Sequence, residues 1–425
     1  MKVTTKPSLH ASWIDRDASD IVRRLQAKGH KTYLVGGCVR DLLCGVVPKD
    51  YDIATEARPN EVRKLIFGSY VIGRRFRLVL VKRGDQQFEV ATFRRASREE
   101  DFAEGEDTPV GDNFFGTPEE DALRRDFTIN GLFYDPSNEQ LIDYCEGMVD
   151  IDSRTLRVIG KPGDRIVEDP IRSLRALRLS HKLGFKIEPE LREAVQSNAA
   201  LLEKSVLPRR REEYLKILRL PSPGMAFIEM WDLGLLQACL PSIAAIFEDV
   251  HRQETFLNYL ERIPEFCKDT SNPIELYALL VMALRASLEG TGFEGEKEET
   301  FYRLELGMFR SEWGEVEQAL HLRHRLSDLE HFRRRGHRRQ QAFLNHPGLH
   351  LAVRVGAFEN ELMPDQVFFW EQRLAGVPLP PRDPSKDLNR STKSPTSVQE
   401  SDQEIEDEIQ TEAMTSDTLT EQRPD

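Results

Sequence analysis

The sequence predicts an α+β chain: a small mixed-sheet head, an elongated all-helical neck and body, and a disordered acidic C-terminal tail. Three observations carry this reading. Strand and helix patterns alternate from residue 31 to about 119. Helical 3.6-residue spacing then runs from Asp169 to about 375. From Val377 onward Pro, Ser, Thr, Asp and Glu displace the large apolar residues. At 425 residues the chain also exceeds what one hydrophobic core supports, so several domains are expected. The changes in pattern place an N-terminal extension and helix at 1–30, the head at 31–155 and a helical neck at 156–220. The helical body follows at 221–376 and the tail at 377–425.

Taken in order, residues 15–28 read as a helix with Ile21, Val22 and Leu25 on one side. Residues 31–35 form a short strand ending in Gly36-Gly37, and 39–43 a helix closed by Gly45. Residues 50–54 are a second strand. Pro59 opens a helix that runs to about Ile66, at its favoured first position. Strand patterns recur at 76–81 and 87–93, and the polar, acidic stretch 97–112 reads as a mobile loop. After Glu119 only 141–144 and 156–159 interrupt a helical reading.

Composition narrows the functional classes. No run approaches the roughly 20 apolar residues of a membrane span, and residues 1–10 lack the layout of a secretory signal. The five cysteines are scattered and free of C-x-x-C spacing, so a reducing cytoplasm is expected rather than a disulfide framework or a zinc site. The net charge is −13, but from Asp383 to the end 12 acidic residues face 4 basic ones, which places −8 in the tail. Upstream, Arg209, Arg210 and Arg211 form one basic patch. Arg333, Arg334, Arg335, Arg338 and Arg339 form another. Such patches neutralise nucleic-acid phosphates.

The chemistry is concentrated in Lys49-Asp50-Tyr51-Asp52-Ile53. In a strand, period-2 alternation would put Asp50 and Asp52 on one face, about 6.6 Å apart along the chain. Paired carboxylates repel unless a cation lies between them, which calls for a divalent metal. Glu89, inside the apolar run Phe88-Glu89-Val90-Ala91-Thr92-Phe93, is a third candidate. Three carboxylates with two metal ions suit phosphoryl or nucleotidyl transfer. Just upstream, Leu34-Val35-Gly36-Gly37-Cys38-Val39-Arg40-Asp41 brings two glycines to a strand-to-helix junction. There backbone N–H groups can approach an anion and Arg40 can clamp a triphosphate oxygen.

Residues 33–55 resemble the active-site motif of the class II nucleotidyltransferases, the bacterial poly(A) polymerases and CCA-adding enzymes. The resemblance continues through Arg124-Arg125-Asp126-Phe127-Thr128-Ile129-Asn130, Tyr144-Cys145-Glu146-Gly147 and Glu168-Asp169-Pro170-Ile171-Arg172-Ser173-Leu174-Arg175-Ala176-Leu177-Arg178. It covers roughly half the chain and departs from the pattern at Cys38, where a third glycine is common, and at Leu179-Ser180, which replaces an aromatic and a small residue after Arg178. The resemblance implies that Asp50 and Asp52 bind two Mg2+ ions with Glu89 assisting, and that Gly36, Gly37 and Arg40 hold the triphosphate of ATP. It further implies that Arg125, Asp126 and Asn130 contact phosphate and ribose. Asp169, Arg172, Arg175 and Arg178 would then form a nucleotide-reading helix. An aspartate accepting from an exocyclic amine beside a donating arginine suits adenine and cytosine, while guanine and uracil invert that pattern.

This pairing cannot separate adenylation from CCA addition. Val71-Ile72-Gly73-Arg74-Arg75-Phe76-Arg77-Leu78, Asp112-Asn113-Phe114-Phe115-Gly116 and the late arginine cluster resemble the poly(A) branch. The expected activity is template-independent transfer of AMP from ATP to RNA 3′ ends, with CCA addition to tRNA as the alternative. RNA is the expected partner, and the acidic tail offers room for a protein partner. A small-molecule nucleotidyltransferase would have little use for the helical body, and a catalytically dead RNA binder would not need an intact D-x-D. A hydrolytic HD-type centre is not expected, since none of the ten histidines precedes an aspartate and His321, His324 and Asp328 lack partners in sequence.

Overall fold

The computed structural model describes residues 3–5, 9, 11–73, 78–96, 114–268, 270, 272–293 and 295–378. The basic residues 74–77, the stretch expected as a loop at 97–112, Asn113 and the tail from 379 lie outside the described residues. Up to Val367 the chain forms one compact unit, and Phe368 begins a second.

An eight-stranded mixed sheet organises the head. Its strands are β1 (Val3–Thr5), β2 (Thr32–Val35), β3 (Asp52–Thr55), β4 (Ser69–Ile72), β5 (Leu78–Arg83), β6 (Gln86–Thr92), β7 (Leu132–Asp135) and β8 (Gln140–Asp143). The spatial order is β1-β8-β7-β2-β3-β6-β5-β4. β3 and β6 run parallel, and the other neighbours are antiparallel. β5 and β6 are joined by the two-residue turn Gly84-Asp85, where Gly84 takes φ +56°.

Helix α1 (Arg16–Gln26) forms because Asp15 caps it, accepting from the Ala18 N–H at 2.9 Å, and because Ala18, Ile21, Val22 and Leu25 recur at helical spacing. That buried stripe packs on β2 and β3. Helices α2 (Gly37–Leu43), α3 (Pro59–Leu65), α4 (Pro118–Leu123) and α5 (Gly147–Asp152) complete the head. Val35, Ala54, Phe93, Ala122, Phe133 and Ile142 form a buried cluster edged by Tyr33 and Tyr144. Phe133 meets both tyrosines edge-on at 6.0 Å. In register, Tyr33, Val35, Asp52, Ala54 and Glu89 share this face of the sheet. The aromatic floor therefore lies beside the acidic residues.

Strand β7 was not expected from sequence. All four of its residues are buried, so no polar alternation marks it as a strand. β1 and β4 were likewise unmarked. The strand expected at 156–159 is reduced to β9 (Thr155–Leu156), which pairs in parallel with β10 (Lys186–Ile187).

Beyond the head the described chain is helical: α6 (Pro162–Glu168), α7 (Ile171–Leu183), α8 (Pro189–Ser197), α9 (Leu207–Leu218) and α10 (Pro223–Asp232). Next come α11 (Leu235–Cys239), α12 (Pro241–Ala244), α13 (Val250–Phe266), α14 (Pro273–Ser287) and α15 (Glu296–Thr300). The series ends with α16 (Arg310–Arg323), α17 (Leu329–Arg334), α18 (His337–Leu344), α19 (Leu349–Phe358) and α20 (Pro364–Leu374). Helix α14 is mostly apolar and buried from Glu275 to Leu284, with α13, α16 and α19 against it. In the second unit the Phe369 and Trp370 rings meet edge to face at 5.1 Å. Among the described residues no helix is long and apolar enough to cross a membrane.

Candidate active site

Gly36 ends β2 and opens α2 with φ 74° and ψ −129°, a conformation glycine alone adopts readily. A Cβ at this position would lie 2.8 Å from Arg125 Nη1 and 3.9 Å from Asp52 Oδ2. The residue is thus required twice, for its backbone and for the space it leaves. Helix α2 begins at Gly37, two residues earlier than the sequence suggests.

Asp52 and Glu89 are direct partners across the parallel β3–β6 pair, so their carboxylates leave the same face of neighbouring strands about 4.8 Å apart. Asp50 is not in the strand, which corrects the sequence expectation. β2 supplies pairing partners only as far as Val35, opposite Asp52, because Gly36 turns the chain away. Asp50 therefore sits in the bend before β3, near enough to act on both other acids. Burial pushes the Asp52 carboxyl above its usual range; Arg125 opposes this and Asp50 adds to it. Burial, Asp52 and Asp50, in that order, push Glu89 up. All three residues keep solvent access.

Such a group of mutually repelling, hard oxygen donors fits a divalent cation. Among the described residues, no three His, Cys, Asp or Glu side chains gather closely enough to enclose an ion alone. An open arrangement suits Mg2+, which takes one or two protein carboxylates and completes its shell with phosphate oxygens and water. Cys38 does not enter the site. It is buried with its thiol on the Val35 carbonyl at 3.3 Å, and burial pushes that thiol up to about 12.

Beside the acids, Asp121 organises two arginines. This carboxylate is 1% exposed and accepts from Arg124 at 2.7 Å, from Arg125 at 2.9 Å and from the Arg94 N–H at 3.1 Å. Burial alone would raise Asp121, but Arg125 and Arg124 outweigh it and hold the acid below its usual range. Arg125 is thereby aimed at Gly36 and Asp52, with its guanidinium 5.5 Å from the Phe133 ring centre. Sequence reasoning missed Asp121, although its i, i+3, i+4 spacing to Arg124 and Arg125 was visible.

Arg40 is buried, not free in a cleft. Its Nε and Nη2 donate to Asp41 at 2.9 and 2.6 Å, and its Nη1 donates to Asn130 Oδ1 at 2.6 Å. Asn130 in turn donates to Asp126 at 3.0 Å. Asp126 also accepts from the Phe127 N–H and from Arg175 through Nε and Nη2. Burial would raise Asp126, but Arg175, Asn130 and the Phe127 N–H bring it below the usual range. Glu213 of α9, 2% exposed, receives both Arg175 and Arg178, and Lys182 reaches back to Asp41 at 3.0 Å. Arginines from α7 are thus bound to acids of both the head and α9.

Asp169 lies outside α7, with extended backbone angles of −147° and 92°, because Pro170 follows it. The expected single helical face from Asp169 to Arg175 is therefore interrupted. Asp169 is held by Arg209 in a two-pronged pair at 2.9 and 2.7 Å. Arg172 is 8% exposed, and its Nη1 donates to the Arg165 carbonyl at 2.6 Å and to Glu168 at 2.9 Å.

The two basic patches divide. Arg209 is exposed, but Arg210 is 8% exposed and turns inward with Glu213, Tyr214 and Ile217 on the buried side of α9. That placement corrects the expectation of Arg210 as a surface contact; helical rotation buries it. Arg334, Arg338 and Arg339 are exposed across α17 and α18, while Arg333 and Arg335 are half-buried beside Glu330 and the Phe343 ring. Asp328 caps α17, accepting from the His331 N–H at 2.9 Å, and His324 lies 3.9 Å from Glu361.

Comparison with known proteins adds an independent line. Residues 32–157 match the model of the poly A polymerase head domain, and residues 184–247 match a model described as the probable RNA and SrmB-binding site of polymerase A. The Poly(A) polymerase I of Salmonella typhi is 40% identical over 268 residues, 61% of this chain and 57% of that protein. The Poly(A) polymerase I of Haemophilus influenzae is 37% identical over 274 residues, 62% and 61% of the two chains. A CCA-adding enzyme of Enterococcus faecalis is 38% identical over 218 residues, 51% of each chain. The chain thus matches between half and three fifths of these relatives' length. Among solved structures, a Bacillus stearothermophilus CCA-adding enzyme in complex with CTP has a TM-score of 0.61 at 27% identity, covering 86% of this chain and 83% of that one. A Thermotoga maritima CCA-adding enzyme complexed with tRNA has a TM-score of 0.59 at 21% identity, with 94% and 93% covered, and shares the fold.

Proposed function

We propose, from the premise that this chain belongs to the class II nucleotidyltransferase family and carries the head domain of its poly(A) polymerases, that it transfers AMP from ATP to RNA 3′ ends without a template and releases pyrophosphate. The observation that carries the reading is the in-register pairing of Asp52 with Glu89, beside Asp50, at the mouth of the Gly36 junction.

Roles follow from position. Asp50 and Asp52 would hold Mg2+, with Glu89 beside them. When bound, that cation would neutralise charge developing on the α-phosphate and lower the pKa of the attacking 3′-hydroxyl. Gly36 and Gly37 leave backbone open to phosphate oxygens, and Arg125, oriented by Asp121, supplies the nearest cation. Arg40 acts through Asp41 and Asn130, fixing the wall on which ribose and phosphate rest. Asp126 and Arg175 tie that wall to α7. Asp169 and Arg172 would read the base: the aspartate would accept from the exocyclic amine of adenine once it releases Arg209, and the arginine would donate to a ring nitrogen once it releases the Arg165 carbonyl and Glu168. The arginines exposed on α17 and α18 would track RNA phosphates.

CCA addition is the second reading, favoured by the CCA-adding relatives and by their shared fold. Incubating the full chain with Mg2+, a non-tRNA oligonucleotide and each NTP separately decides between them. Long tails with ATP alone are expected. Short additions of C and then A, confined to tRNA, would replace this reading with the other.

A further inference from the structure

Most exposed apolar residues of the helical part stand singly, as is ordinary for a protein surface. Phe309, which precedes α16, is different. Its ring is 68% exposed, yet one side is already covered by a guanidinium: Arg211 of α9 lies 5.0 Å from the ring centre. Arg211 is not a loose surface arginine. It donates to the Gly307 carbonyl at 3.1 Å and to Glu312 at 2.7 Å, and its other side meets the Tyr277 ring at 5.4 Å. Glu312 is the common anchor, because it also accepts from the Phe309 backbone N–H at 2.8 Å. One carboxylate therefore fixes both the cation and the backbone that carries the ring. Gly307 lets the two segments close, since a Cβ there would lie 2.7 Å from Leu207 at the start of α9.

A largely exposed aromatic ring backed by an arginine is a recurrent platform for an unpaired nucleobase. Stacking is tolerant of base identity, and the partly buried cation adds attraction. The location supports the same occupant. Arg211 lies inside the segment matched by the RNA-binding model, whereas Phe309 lies some sixty residues beyond it in sequence and is delivered by the fold. On the same helix, Arg209 holds Asp169. We infer that Phe309, backed by Arg211, stacks on an unpaired base of the single-stranded RNA whose 3′ end enters the active site. This rests on the proposed RNA substrate but not on which nucleotide is added.

The test is equilibrium binding of the full chain to a fluorescent oligoadenylate and to a blunt RNA duplex, without ATP. Phe309→Ala should weaken oligoadenylate binding by roughly 5- to 150-fold, the range for one lost stack, with no change in salt dependence and little change in duplex binding. Phe309→Tyr should restore affinity. Leu304→Ala, which removes another exposed apolar side chain, should bind like the parent. Unchanged affinity in Phe309→Ala, or equal losses for single-stranded and duplex RNA, would overturn the inference. If Phe309→Ala failed to fold, a Phe309→Leu variant that melts at the parent temperature and keeps full affinity would overturn it as well. Because binding is read without turnover, failure of the polymerase reading would appear separately, as Phe309-dependent RNA binding without tail synthesis.

Discussion

The acids of the head and those at the junction with the neck solve opposite electrostatic problems. Asp50, Asp52 and Glu89 crowd one another with Arg125 beside Asp52, and two of them are driven above their usual range. Asp121, Asp126 and Glu213 are more deeply buried, yet each is enclosed by arginines, and Asp121 and Asp126 are held below it. Among the described residues one set is left with its repulsion largely uncompensated, while the other is compensated by arginines of the same chain. On the proposed reading, the difference separates residues that act from residues that hold them in place.

Breaking the first set should give the largest effect. Asp52→Asn is expected to lower the single-turnover rate of AMP incorporation by at least about 10³-fold, as for loss of a principal electrostatic group. It should also leave the metal-free protein as stable as the parent, or about 1–2 °C more stable, because a repulsion is removed. Ordinary turnover in this variant would end the proposed assignment of Asp52.

Breaking the second set should cost stability instead. Asp126→Ala leaves Arg175 with Glu213 alone and takes the acceptor from the Asn130 amide, so a loss of about 3 kcal/mol in urea unfolding is expected. A smaller effect concerns pH. The folded pKa values of Asp121 and Asp126 lie below the unfolded ones, so the native state releases these protons more readily. Their stabilisation is complete above the unfolded pKa, about 4, and is lost as pH falls through the folded values. Melting temperature followed downward from pH 6 should fall less steeply in Asp126→Asn than in the parent. An identical slope would argue that other carboxylates govern acid sensitivity. The smallest effect is expected at the exposed arginines: Arg334→Ala and Arg338→Ala should each reduce the slope of log K against log salt for single-stranded RNA by about 0.7.

The acids proposed to act were legible in the sequence, and the residues that hold them mostly were not. Gly36, Asp52 and Glu89 stood out because glycine at a junction and acid in an apolar strand are locally improbable without a purpose. Arg40 looked free to clamp phosphate and Arg210 looked like a surface cation, because sequence does not reveal which way a helix is rotated until its partners are known. Asp121 hid in a run of acids, and Glu213 in a charged helix, although both are almost fully buried. Strand β7 lacked alternation because it is covered on both faces. Asp169 was placed on a helix despite Pro170, a sign available from the start.

The turn at Gly84-Asp85 carries no proposed chemistry itself, yet it aims part of it. The hairpin fixes how β6 slides against β5, and side chains along a strand change sides at every step. Lengthening that bend by a single residue, with β6 slipping to match, would swing Glu89 to the reverse of the sheet. Phe88, an inert hydrocarbon, would then stand beside Asp52. Diversifying this protein by loop grafting should therefore count residues in pairs at this hairpin.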